Sequence, residues 1–342
     1  MRLGGLLVEA ARDIDAFYDA RVVEPCPAST VLVLSVDGKG IVMRPEALRE
    51  ATRQAAAKRQ YTFRTRLSAG EKTARKRMAT LGAVYDCEPV PRRPHDVIAP
   101  PGGRSGDYTP RPGPVARAKW LCGSVEHDAE HTIRRVFNHA EARDRDHRRC
   151  WVVLVDGAPY QLDLIQAEAR LRDVDVHIVI DIVHVLEYLW SASWCFHAPG
   201  DTAAEGWVAA HALAILNGNA TEAADAIQAE ADQAELSAEQ RRGADTCVRY
   251  LRTKNEFLRY DQALEAGWPI ATGIIEGAAR HLIADRLDIS GARWGLDGAE
   301  AVLKLRAVAA NHDLGPYWKY HLAEEHRRLY PVHDQAKYTL MA

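Results

Sequence analysis

Two short apolar runs without a charge stand out along this chain: residues 31–36 in VLVLSVDGKG and residues 151–155 in WVVLVDGAP. Both are rich in β-branched residues and both end in Asp-Gly, which predicts buried central strands closed by a tight turn. Further strands are expected over residues 41–43, 78–88, 116–125 and 176–180. Helical patterning covers residues 1–24, 45–58 behind Pro45, 126–146, 159–172 behind Pro159, and an aromatic-rich stretch at 185–196. Residues 202–266 are alanine-rich and almost free of strand signals, so they read as an inserted helical domain. Gly267-Trp268-Pro269 breaks the chain before a last helix bearing Glu276, Arg280 and His281. Residues 89–114 hold many of the prolines together with Gly102, Gly103 and Gly106, and are expected to form a long irregular loop, mobile until something binds.

This order predicts an α/β protein with five parts. Residues 1–30 form a helical segment, either a cap or a remnant of a DNA-binding region. Residues 31–198 form the first part of a sheet-based core, 199–268 the helical insertion, 269–325 the last part of the core with the Glu276 helix, and 326–342 a tail.

A chain of 342 residues with 47% hydrophobic content is long enough to bury one large core. No apolar run approaches the length of a membrane span and no signal peptide is visible, so a cytoplasmic location and no membrane partner are expected. The six cysteines are scattered without a C-x-x-C pair, which favours reduced thiols over a disulfide framework or a zinc site. The net charge of −3 conceals segregation: residues 44–77 hold eleven basic against three acidic residues, and residues 201–239 hold eight acids and no lysine or arginine. The basic stretch suits a phosphodiester backbone or, equally, a solvated helix face.

The chemistry-bearing candidates are the acids. Asp37 and Asp156 each sit at the carboxyl end of a predicted central strand, where open α/β sheets bind ligands, and Glu276 comes from a helix. Converging carboxylates repel one another, and oxygen-only ligands favour Mg2+ or Mn2+ over zinc. Alone, each Asp-Gly has a plainer reading as a turn. Asp181 and His184, spaced i and i+3 beyond the strand at 176–180, would lie beside the same crevice as auxiliary residues, or serve as a cap and a locally satisfied histidine. Arg280 follows Glu276 by four residues, which on a regular helix puts a phosphate-neutralising cation beside a metal ligand, or makes a plain ion pair. Lys39, Arg280, His281 and Arg293 are candidate DNA contacts; Trp294 is a candidate base-stacking residue or a core tryptophan.

Long stretches of the chain resemble a known family: VLSVDGKGIVMRPEALREAT, RKRMATLGAVYD, WVVLVDG, DIVHVLEYLWSASWCFH and GIIEGAARHLIADRLDISGARWGLDGAEAVLKLRA are similar to the Kra-type bacterial insertion-sequence transposases, relatives of the Mutator-like group. The resemblance runs from Val31 to about His321. It implies an RNase H-like mixed sheet flanked by helices, with an all-helical insertion before the last catalytic helix. It also implies an Asp, Asp, Glu triad, matched here by Asp37, Asp156 and Glu276 as catalytic and metal-binding residues, with a D-x-x-H signature matched by Asp181 and His184. The implied activity is metal-dependent cleavage of element ends and strand transfer into target DNA. Double-stranded DNA is then the partner, a homodimer or higher oligomer the working form, and the nucleoid the location when bound. Family members carry cysteine where this chain has Ala279 and a longer amino-terminal part. A nuclease that cuts without joining, and a truncated or domesticated DNA-binding remnant, are the alternatives.

Overall fold

The computed structural model describes residues 3–23, 26–57, 75–104, 106–289 and 291–330. Much of the basic stretch, residues 58–74, and the end of the tail, 331–342, lie outside them.

The chain opens with α1 (Leu3–Ala11) and α2 (Ile14–Ala20), then enters β1 (Val31–Val42). After a 3-10 turn at Pro45–Ala47 come α3 (Glu50–Ala57), β2 (Lys76–Cys87), α4 (Pro94–Val97), β3 (Ala116–Ser124), α5 (Ala129–Arg143), β4 (Trp151–Val155), α6 (Pro159–Leu171), β5 (Val176–Ile180) and α7 (Ile182–Ser193). Four helices follow, α8 (Ala203–Leu216), α9 (Ala220–Gln233), α10 (Arg242–Lys254) and α11 (Tyr260–Glu265). The chain then returns through α12 (Gly273–Ala278), which passes into a π-helical segment at Ala279–Ala284, and ends with α13 (Leu296–Ala310) and α14 (Leu314–Leu329).

The five strands form one mixed sheet in the order β3-β2-β1-β4-β5, flanked by helices. The first three strands are antiparallel neighbours, and β4 and β5 run parallel to β1. Side chains alternate across a strand, so each face collects every second residue. Leu32, Leu34 and Val36 of β1 join Trp151, Val153 and Val155 of β4 under Ile133, Val136 and Phe137 of α5 and Ile165 of α6. On the other face, Val31 and Val33 join Val152 and Leu154 beneath α7 and the helical insertion. Burial of each such aliphatic side chain contributes about 1.5–3 kcal/mol.

Three expectations change. Asp37-Gly38 is not a turn: β1 runs unbroken for 12 residues because β2 pairs with it along its whole length, from Val31 opposite Cys87 to Val42 opposite Lys76. The helix expected from Pro45 is a 3-10 turn followed by a separate helix, α3. The segment at 89–114, expected to be a long irregular loop, holds the short helix α4 and bonds to the chain at residues 264–268. The buried Asp96 carboxylate accepts from Tyr108 Oη, from Arg93 N (2.7 Å) and from Arg111 N (3.0 Å), and Arg92 donates to the Trp268 carbonyl. Val90 N donates to the Gly267 carbonyl at 2.9 Å, and Gly267, with φ 77°, has no room for a β-carbon beside that backbone.

The region of residues 202–266 is helical, as its composition indicates. Small side chains allow close approach there: Ala212, Ala220, Ala224, Ala231 and Ala244 are all buried, and Gly243 of α10 lies against the Ser191 carbonyl of α7. No helix among the described residues is long and apolar enough to cross a membrane.

Candidate metal centre

The parallel strands place three aspartates in one row. Ser35 is paired with Leu154, so two residues further on Asp37 stands level with Asp156. Val155 is paired with Ile180, so one residue further Asp156 stands level with Asp181. Asp37 shares its face of β1 with Val33, and Asp156 shares its face of β4 with Leu154, so alternation sends both toward the helical insertion and α12. Asp37 and Asp156 are half-buried and Asp181 is fully buried.

Each carboxylate is held by the local backbone. Asp37 accepts from Gly38 N at 2.6 Å and Asp156 from Ala158 N at 3.1 Å. Asp181 caps α7 by accepting from Val183 N at 2.9 Å. Its second oxygen accepts from the Thr272 hydroxyl, and Ile182 N donates to the Ile270 carbonyl at 3.0 Å. These two bonds hang α12 from the end of β5 and bring Glu276 to the row, where the charges of Asp181 and Asp37 bear on its carboxyl.

Repulsion governs the site. Burial raises the Asp37 carboxyl above the usual carboxylate range; the Gly38 N–H opposes this, and Asp156 pushes it further up. The Glu276 carboxyl is raised by desolvation, then by Asp181, Asp37 and Glu187. Lys39 and His184 bear on Asp37 with the opposite sign, though neither closes an ion pair with it among the described residues. His184 bonds instead to Glu187 at 3.1 Å. Four carboxylates with oxygen-only donors and unrelieved repulsion make a donor set suited to a hard divalent cation. Asp37, Asp156 and Glu276 do not form a group whose ligand atoms all lie within 4.8 Å; among the described residues that holds at Asp13, His321 and Glu325, where Arg328 already pairs with Asp13.

The remaining candidates separate. Glu276 and Arg280 do not form the expected pair, because the chain switches from α- to π-helical geometry at Ala279 and the four-residue spacing no longer stacks the two side chains. Arg280 and Arg293 are exposed. His281 is exposed and its ring bonds to Asp285 at 3.1 Å. Trp294 is a packing residue: its indole N–H donates to the Leu287 carbonyl at 3.0 Å, its backbone bridges to Met43, and its ring packs against the cluster around Ile41 and Leu282.

Thr272, Glu187, Tyr188 and Tyr250 belong to the site and were not legible as such beforehand. Thr272 carried one signal, a hydroxyl residue immediately before a helix; the others carried none. A cleft of about 530 Å³ opens beside His184 between α7 and α10, lined by Glu187, Tyr188, Trp194, Glu239 and Arg242 among others. Comparison of this chain with models of known protein families, with curated proteins and with solved structures finds no match.

Proposed function

We propose that this chain is a DDE-type transposase, a metal-dependent polynucleotidyl transferase acting on double-stranded DNA. One observation carries the reading: three aspartates stand level across β1, β4 and β5, and Glu276 arrives from a distant helix close enough for Asp181 and Asp37 to raise its carboxyl. An RNase H-like core fits the sheet, with its antiparallel β3-β2-β1 half, its parallel β1-β4-β5 half and the helical segment that intervenes before α12.

Asp37, Asp156 and Glu276 would hold Mg2+ or Mn2+, with Asp181 behind them as the residue that orients Glu276. When bound, the cation supplies Lewis-acid stabilisation of the charge that builds up in an in-line displacement at phosphorus. The protein's part is placement. Gly38 N–H and Ala158 N–H fix the two aspartates, Thr272 and Val183 fix Asp181, and the docked α12 fixes Glu276. A water or a freed 3′-hydroxyl entering this pocket meets the same carboxylates, so cleavage and joining share one arrangement. Lys39, one turn of the pleat beyond Asp37, and the exposed Arg280 and Arg293 are the candidate backbone contacts.

The experiment compares cleavage and strand transfer on element-end DNA, with pre-cleaved ends as a separate substrate, for the wild type and for Asp37→Asn, Asp156→Asn and Glu276→Gln. Loss of both reactions with DNA affinity retained supports the proposal. Cleavage without joining by the wild type would identify a nuclease, and comparable residual cleavage in any of the three variants would remove that residue from the site.

A further inference from the structure

Tyr250 reaches the acid row from the helical insertion, and its hydroxyl lacks a partner. The residue is 9% exposed, and its Oη is buried without a hydrogen bond. Its position is well defined: a β-carbon on Gly157, the residue after Asp156, would lie 3.8 Å from this oxygen. The ring is clamped, stacked on Tyr188 of α7 with centroids 3.9 Å apart and planes at 17°, and set edge-on to His184 at 6.3 Å. Asp156 and Asp181 are the carboxylates that bear on the phenol, and together with burial and Tyr188 they hold its proton on far above neutral pH. Toward an ionised carboxylate Tyr250 can therefore act only as a donor.

A buried hydroxyl left unpaired is costly and calls for an explanation, one of which is a partner taken up in another state. The two neighbouring acids differ in free capacity. Asp181 already accepts from Val183 N on one oxygen and from Thr272 Oγ1 on the other. Among the described residues Asp156 accepts from Ala158 N alone, through Oδ1.

We propose that Tyr250 is a positioning residue for the metal centre, its hydroxyl donating to the Asp156 carboxylate when a divalent cation is bound, so that the helical insertion becomes part of the acid site. Carboxylates that ligate metals are held by such outer hydrogen bonds, which orient the ligand and sharpen its affinity. The proposal rests on the acid-site reading above and adds to it a specific donor from α10. Nothing covalent changes; the phenol keeps its proton.

The test uses the full chain and Mg2+ alone, with thermal unfolding followed in EDTA and across a magnesium titration for the wild type, Tyr250→Phe and Tyr188→Phe. Tyr250→Phe is expected to be at least as stable as the wild type in EDTA, since it deletes an unpaired buried oxygen, and to need about tenfold more Mg2+ for half of its stabilisation. Tyr188→Phe, which removes the stacked neighbour's hydroxyl, is expected to keep the wild-type magnesium response. An unchanged magnesium response in Tyr250→Phe, or an equal loss in Tyr188→Phe, would overturn the role of Tyr250 and leave the acid site standing. A Tyr250→Phe chain that fails to fold would also overturn it, because the hydroxyl would then be needed in the free protein. A wild type that Mg2+ does not stabilise would end the acid-site reading and this proposal with it.

Discussion

At the amino ends of β1 and β4, the buried Asp86 is gripped by Arg143 Nη1 at 3.0 Å and by Arg149, and it accepts the Cys26 thiol at 3.0 Å. Further along the same sheet Asp37, midway along β1, and Asp156, just past β4, meet Asp181 and Glu276, and none of the four pairs with a lysine or arginine among the described residues. One sheet thus buries carboxylates in two places and neutralises them in only one. Asp86 closes its own charge balance and ties the loop before β4 to β1, since Arg149 also donates to the Thr30 and Val31 carbonyls. The opposite cluster is left with a charge that folding does not satisfy, the imbalance on which the proposed metal site rests.

The contrast gives predictions of opposite sign. The largest is in activity: Asp37→Asn, Asp156→Asn or Glu276→Gln should each lower DNA cleavage by at least about a thousandfold, whereas a conservative change at a scaffold acid should lower it only in proportion to the folded fraction. Next comes stability. Asp86→Asn strands two buried guanidinium groups and should cost about 3–5 kcal/mol in denaturant unfolding. Asp156→Asn removes one member of a repelling row and, without divalent cation, should leave stability unchanged or raise it by up to about 1 kcal/mol; an equal loss in both variants would erase the distinction between the two places.

Magnesium sharpens the same comparison. Millimolar Mg2+ should raise the melting temperature of the wild type and of the surviving Asp86→Asn fraction, with no rise in Asp156→Asn, and EDTA should reverse the rise.

The smallest effect concerns another partnered acid. Burial raises the Asp13 carboxyl, but Arg328 and His321 outweigh that and hold it below its usual range. A depressed carboxylate contributes stability that is complete above the unfolded value of about 4 and is lost as pH falls below it. The clamp between α1–α2 and α14 should therefore loosen in acid, and Asp13→Asn should flatten that part of a stability–pH curve.

What the sequence disclosed follows the range of the interactions concerned. The strands at 151–155 and 176–180 and helix α6 were legible from apolar runs and Pro159; β4, buried on both faces, holds no polar residue, and β5, at the edge, holds one, His177. The three aspartates were legible for the same reason, each standing where such a run ends. The continuity of β1 through Gly38 and Gly40 was not, since it depends on β2 with Lys76 and Met78 lying over those glycines. Arg280 was misplaced because a π turn cannot be read from spacing, and Asp86, Arg143 and Arg149 were missed because their contacts span up to 119 residues. Tyr250 lay hidden in an alanine-rich stretch whose composition announced helices but no chemistry.

The bonds between Ile182 and Ile270 and between Asp181 and Thr272 join positions up to 91 residues apart at one spot. The excursion that lies between them begins and finishes at a single doorway. Both feet of that excursion are pinned together, so α12 takes its place beside β5 through contacts made outside the excursion itself.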